Sequence, residues 1–585
     1  MIELPKTKAL LAPVVMLALA WTVGGCDHRT ASIGTTATKA TPAQQAEEVF
    51  KYAIGMLNDM DESDRAPARL DPDTQNLQLE DAVDELLKGG TAVTVVSQLN
   101  QWIAVQKPVP DWRRDPLIET LPTGLQKLPA LKQLDAFSFP LSDANDLRQA
   151  VWLRSISNTV TRDATDDLDR AVRLFDWTVR NIQLDPADGS APALVPWQTI
   201  ALGHGQAADR TWVFVLLARQ QGLDVVRLAR LEASSDEPQE TELTALALDG
   251  QLFLFDSWLG LPIPGPAGQR VATLAQAADD DSLLRRLDVG AEYNYPLHAS
   301  DVEQVVALVE ASPSFLSQRM WLVASHLAVD QRLVLAIDAS ELAGGLRALP
   351  HVGDARLWPF PYRRFRDAAR RKRAGDEGAP LVIAADPLLT ELEPFVLPYV
   401  LQRKKSDKPR PVAALWRGRV LHLLGKYTGD EGANFFYQLA RPAEIDLEQQ
   451  VFRAADQAKQ LSLRGRELQP QVEQFLSATD ERIALIRRAK QDASYWLGLA
   501  AFERELYDTA LDYFNERTLA ATPDGPWTHG AYYNLGRTYE ALGQIDEACA
   551  AYRGDESSPQ RHGNLIRSRW LEEAKKGEKG RAAVE

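Results

Sequence analysis

Apolar positions along this 585-residue chain recur mostly at helical spacing. From Ala46, "AEEVFKYAIGMLNDM" places its apolar residues at i, i+3 and i+4, the stripe of an amphipathic helix. "DAVDELLKGG" repeats the pattern and stops at a glycine pair. Residues 107–145 are proline-rich and irregular. Helical spacing returns in "DLRQAVWLRSIS" and "DLDRAVRLFDWTVRNIQ", the second preceded by Thr165 and Asp166 as caps. Residues 207–222, "AADRTWVFVLLARQQG", break the amphipathic rule, being apolar on nearly every side from Trp212 to Ala218. That predicts a helix buried all round, with Gly222 past its end. Strand-like runs follow at 224–231, 243–250 and 251–260, and Asp249-Gly250 between the last two predicts a hairpin turn.

Beyond residue 300 the character is mixed. "RLVLAID" (332–338), a glycine-containing helix and "ARLWPF" (355–360) predict a small β-α-β unit. "ALWRGRVLHLLGKY" (414–427) reads as a strand or a short helix, and from Glu444 helices dominate to the end. At about 150 residues per domain, the length suits three or four domains.

The first apolar run, Ala9 to Val23, is fifteen residues long, after Glu3, Lys6 and Lys8. A spanning helix needs roughly 20, so the layout is that of a secretory signal. It ends in "VGGC", which resembles the lipobox of bacterial lipoproteins. The resemblance implies cleavage before Cys26 and diacylation of its thiol; the competing reading is an ordinary signal or an uncleaved anchor. Two or three acyl chains hold a protein durably on a bilayer. Asp27 leans the expectation towards the inner membrane, with the protein facing the periplasm. The small, polar residues up to 45 read as a flexible tether. Loss of residues 1–25 removes a net +1 and takes the formal charge from −16 to −17. Such an acidic exterior argues against nucleic-acid binding. Cys549 is the only other cysteine, so an intrachain disulfide is not expected.

The segment 168–260 resembles the transglutaminase-like core, a relative of the papain fold. The resemblance rests on the helix "LFDWTVRNIQ", the loop "LGHGQ" leading into the buried helix, and the hairpin "LDGQLFLFDSWLG". It implies a cysteine at the start of the buried helix, a histidine on the next strand and an aspartate ending the strand after that. A thiolate is favoured at a helix N-terminus, a histidine shuttles its proton, and a carboxylate orients the imidazole. Counting from Gly222 and Asp249, these slots fall on Ala207, Thr241 and Asp256. The resemblance therefore implies that nucleophile and base are missing and the orienting aspartate is kept. No histidine occurs from 205 to 297, so a slip of a residue or two restores nothing. His204, Asp209 and Arg210 stand near the same helix start. His204 with Asp256 is the alternative acid–base pair of a non-standard hydrolase or transferase. Against it, His204 reads as a loop residue, Asp209 as a charge in the first helical turn and Asp256 as a structural residue closing its strand end.

The eight histidines are scattered without metal-ligand spacing, and no phosphate- or dinucleotide-binding loop is found, so neither metal nor cofactor is expected. Basic islands at 362–373 and 403–410 read as solvated faces, with anionic lipid or an acidic partner as the sharper alternative. Residues 493–526 and 529–555 resemble tetratricopeptide repeats. Leu497, Gly498, Ala510 and Phe514 carry the first, and Tyr532, Leu535, Gly536, Tyr539, Ala548 and Tyr552 the second. Their Leu-Gly pairs are 38 residues apart, against the usual 34. Such arrays hold peptides on a concave face, or the helices merely cap the domain before them. Binding candidates are Tyr532, Asn534 and Tyr539, with His204 in the cleft.

The fold class expected is multidomain α+β. A lipoprotein signal (1–25) and tether (26–45) precede a helical region (46–145), a degenerate papain/transglutaminase-like core (146–298), a small α/β domain (299–430) and an all-α tetratricopeptide-like region (431–585). The function expected is non-catalytic binding or scaffolding of an envelope protein or peptide, from a bilayer reached through acylated Cys26.

Overall fold

The computed structural model describes residues 41–58, 69–70, 77–186, 192–230, 237–266, 269–328, 332–376, 387–402, 408–463 and 469–582. The apolar leader, Cys26 and Asp27 lie outside them, as do residues 403–407 of the second basic island.

Three helices open the described chain: α1 (Pro42–Asn58), α2 (Leu79–Lys88) and α3 (Ala92–Ile103). The Phe50 ring of α1 lies 4.5 Å from Trp102 of α3, tilted by 34°, in a core shared with Met320 and Leu322. Next come α4 (Asp143–Val160) and α5 (Asp167–Asn181). The expected cap forms: the Asp169 N–H donates to Asp166 Oδ1 at 2.7 Å. Two short strands, β1 (Gln183–Leu184) and β2 (His204–Gly205), pair in parallel just before α6 (Ala207–Arg219). Every residue of α6 from Asp209 to Ala218 is buried, which is why its pattern lacks a polar face.

The chain then builds a six-stranded sheet. Its strands are β3 (Asp224–Arg230), β4 (Gln239–Leu248), β5 (Gln251–Asp256), β6 (Leu261–Pro262), β7 (Val305–Val309) and β8 (Val352–Leu357), in the spatial order β8-β7-β3-β4-β5-β6. Asp249 and Gly250 both have positive φ, 50° and 76°, as a two-residue hairpin loop requires. Side chains alternate between two cores. Val225, Leu246 and Phe255 face Phe214 of α6, while Val226, Leu243, Ala245 and Leu254 face the opposite layer.

The β-α-β unit differs from expectation. Its first strand is β7, not 332–338; β7 pairs in parallel with β8 after α7 (Ala339–Arg347). β7 is buried at all five positions, so it shows no alternation to read. Residues 332–338 do alternate, with Leu333 and Leu335 buried. Their partners, however, form no strand: Gln220 donates to the Val334 carbonyl at 3.1 Å and accepts from its N–H at 3.2 Å, and the Ile337 N–H donates to the Phe315 carbonyl at 3.3 Å. β7 and β8 thus extend the sheet of the preceding segment.

The basic stretch 362–373 lies in α8 (Pro359–Asp376), followed by α9 (Pro387–Val396) and α10 (Ala414–Leu423), so 414–427 is helical at its start. The tail is helical: α11 (Glu444–Ser462), α12 (Gln469–Glu503), α13 (Tyr507–Leu511, continuing as a π-helix to Ala520), α14 (Thr528–Ala541), α15 (Ile545–Gly554) and α16 (Arg561–Ala582). Two glycines explain its hairpins. A Cβ on Gly498 would lie 2.6 Å from the Phe514 ring, and one on Gly536 2.6 Å from Tyr552. Among the described residues no helix is long and apolar enough to cross a membrane.

Candidate functional site

The start of α6 is where the chemistry was expected. Ala207 is its first residue, half-buried, behind an exposed Gln206. Asp209 turns back to accept the Gln206 N–H at 3.0 Å. Arg364 of α8 then crosses this turn, with Nη2 3.1 Å from Asp209 Oδ2 and 3.1 Å from Gln206 Oε1. Burial pushes the Asp209 carboxyl up to about 6, against the opposing pull of Arg364. Part of the first basic island is therefore engaged inside the protein, since Arg363 also reaches Glu240 at 3.2 Å.

His204 sits three residues before Ala207. Its Nδ1 is 2.8 Å from Asp185 Oδ1 and its Nε2 2.9 Å from Glu391 Oε2 of α9. Burial disfavours its charge, but the two carboxylates prevail and raise the imidazole to about 10. Only the imidazolium form lets both nitrogens donate at once, and the two carboxylates favour that form.

Thr241 and Asp256 both point away from α6. The Thr241 hydroxyl donates to the Leu228 carbonyl at 2.8 Å. Asp256 pairs with Leu243 across the strands and shares its face. Its Oδ1 accepts the Trp258 and Leu259 N–H groups at 2.9 and 2.8 Å, and its Oδ2 accepts the Tyr295 hydroxyl at 2.8 Å. Burial pushes it up to about 7. Asp256 thus closes its strand end as a structural residue on the face opposite α6, and His204 meets Asp185 and Glu391 instead of Asp256. The strand positions that do face α6 are their neighbours: Thr244 Oγ1 lies 3.2 Å from Thr211 Oγ1, which donates to Ser257 Oγ at 2.8 Å. Glu240 and Glu242 share that face and meet Arg227. The alternation of "ETELTAL" carries this signal, because it groups Thr241 with Leu243 and Ala245. Among the described residues, no three His, Cys, Asp or Glu side chains are grouped to hold a metal ion.

In the tail, the binding candidate Asn534 is wholly buried. Its Nδ2 donates to the Arg180 carbonyl at 3.0 Å and to Tyr495 Oη at 3.1 Å. Tyr532 and Tyr539 are half-buried against the main core. The first helix of each hairpin faces α5 and β1 instead of solvent. Gln183 donates to the Pro526 carbonyl at 2.9 Å and accepts the Gly530 N–H at 2.6 Å. Arg180 stacks 4.5 Å over Phe502, and Arg537 pairs with Asp176. Between α5, α10 and the tail there remains a cavity of about 510 Å³, lined among others by Arg173, Arg180, Arg270, Glu503, Arg537 and Arg567. Sequence reasoning did not find it, since its walls come from segments hundreds of residues apart.

Residues 154–233 match the family model described as the transglutaminase-like superfamily. This transglutaminase-like domain runs from within α4 through β3, so it contains Ala207 but stops before β4 and β5. No curated protein and no solved structure matches the chain.

Proposed function

We propose that this protein is an envelope lipoprotein, anchored through acylated Cys26 and working by binding or scaffolding instead of bond-making. One observation carries the reading: the helix that would present a nucleophile begins with Ala207, and the Arg364–Asp209 pair lies across that turn. A methyl group cannot form an acyl intermediate. The strand face turned to α6 offers hydroxyls and carboxylates but no imidazole. His204 is held as a cation between two carboxylates, so it supports no base-driven alternative. With the inner face of the tail already packed on α5 and β1, binding falls to the cavity between them. Partner and bilayer are an envelope protein or peptide and, from Asp27, the inner membrane facing the periplasm.

The test uses the full chain in detergent with a fluorescent-amine incorporation assay and a peptide-amide hydrolysis assay. No turnover above buffer is expected. Turnover that disappears on His204→Ala or Asp209→Asn would defeat the reading.

A further inference from the structure

We propose that the cavity between α5 and the tail receives a small organic carboxylate carried on an apolar stem. Five guanidinium groups line it, those of Arg173, Arg180, Arg270, Arg537 and Arg567. Three carboxylates hold them, each shared by two arginines. Asp169 takes Arg173 at 2.9 Å and Arg270 at 2.6 Å. Asp176 takes Arg180 at 3.0 Å together with Arg537. Glu540 takes Arg567 at 2.5 Å and Arg537 at 3.6 Å. Glu503 lies near enough to Arg180 for that charge to favour its ionised form, and it is hydrogen-bonded by Asn181, His422 and Tyr427. The remaining lining acids, Asp163 and Glu505, are exposed to solvent.

One donor is left over by these pairings, at Arg180. That residue is only 7% exposed, its Nε is held by Asp176 and its plane lies on Phe502. Yet its Nη1 is buried with no acceptor among the described residues. Native interiors rarely keep buried donors unsatisfied without a ligand, ion or function to compensate. A guanidinium fork matches the two oxygens of a carboxylate. Val172, Leu423 and Pro262 supply apolar wall for a stem, and the volume is that of a small-molecule site. This deepens the binding reading above by naming a ligand class. Its failure would leave the turnover test untouched.

Isothermal titration calorimetry on the full chain tests it with 4-phenylbutyrate, the tripeptide Ala-Ala-Phe, the amide of each, and inorganic sulfate. Saturable binding of at least one carboxylate is expected, with its amide at least tenfold weaker. The better of the two carboxylates identifies the source as a free acid or a peptide C-terminus. Arg270→Gln, at the exposed end of the network, leaves Asp169 paired with Arg173 and should weaken binding about tenfold with a melting curve close to the parent's. Arg180→Lys, which keeps the charge but loses the fork, should weaken it as well. Binding of neither carboxylate, equal binding of acid and amide, or binding of sulfate alone would overturn the proposal.

Discussion

Arg364 of α8 reaches Asp209 in the first turn of α6, 155 residues away, and the two groups are 11% and 2% exposed. Removing the cation leaves a buried carboxylate without its partner, which typically costs about 3–5 kcal/mol. Arg364→Ala should therefore raise hydrogen exchange at the amides that open α6. The joint change Arg364→Met with Asp209→Leu should restore much of the protection. Equal exchange in the single variant and the parent would show that the pair contributes little.

The His204 imidazolium gives a pH signature. Its folded pKa of about 10 lies above the ordinary 6.5, so its stabilisation is fully present below pH 6.5 and is lost as pH rises towards 10. Melting temperatures of the parent and of His204→Gln, taken from pH 6 to 10, should differ most at the acid end and converge at the alkaline end. A gap that stays flat or widens with pH would contradict this.

Gly536 faces Tyr552 with no room for a methyl group. Gly536→Ala should cost about 1–3 kcal/mol by overpacking, although alanine is the better helix former. Gly55, which has nothing within 4 Å of its Cβ position, is the control, and Gly55→Ala should hold or raise the melting temperature. Similar melting of both variants would mean that the α14–α15 contact yields easily.

Metabolic labelling with a radioactive fatty acid tests the anchor. Cys26→Ser should lose the label and move the protein from the membrane pellet to the soluble fraction. Retained label on that variant would place the lipid elsewhere.

What could be read from sequence divides along physical lines. α6 and the Asp249-Gly250 hairpin depend on local rules, and they are where their patterns put them. Gly498 and Gly536 are legible because a ring packs where a side chain would be. Which face Thr241 and Asp256 present was not legible, because counting from a motif fixes a strand residue only to within one position, and one position reverses its face. β7 was missed because a strand buried on both sides has no period. Nothing local announces Arg364 against Asp209 or Asn534 against Arg180, since such pairs exist only after the chain has closed on itself.

The Asn534–Arg180 contact spans 354 positions and Gln183–Gly530 spans 347. A ribosome that has finished the central sheet still has the closing helices of the tail to make. Until they emerge, the outer side of α5 has no cover, and the nascent chain must be kept from sticking to its neighbours. Late stop codons and carboxy-terminal deletions should therefore damage the middle of this molecule as much as its end.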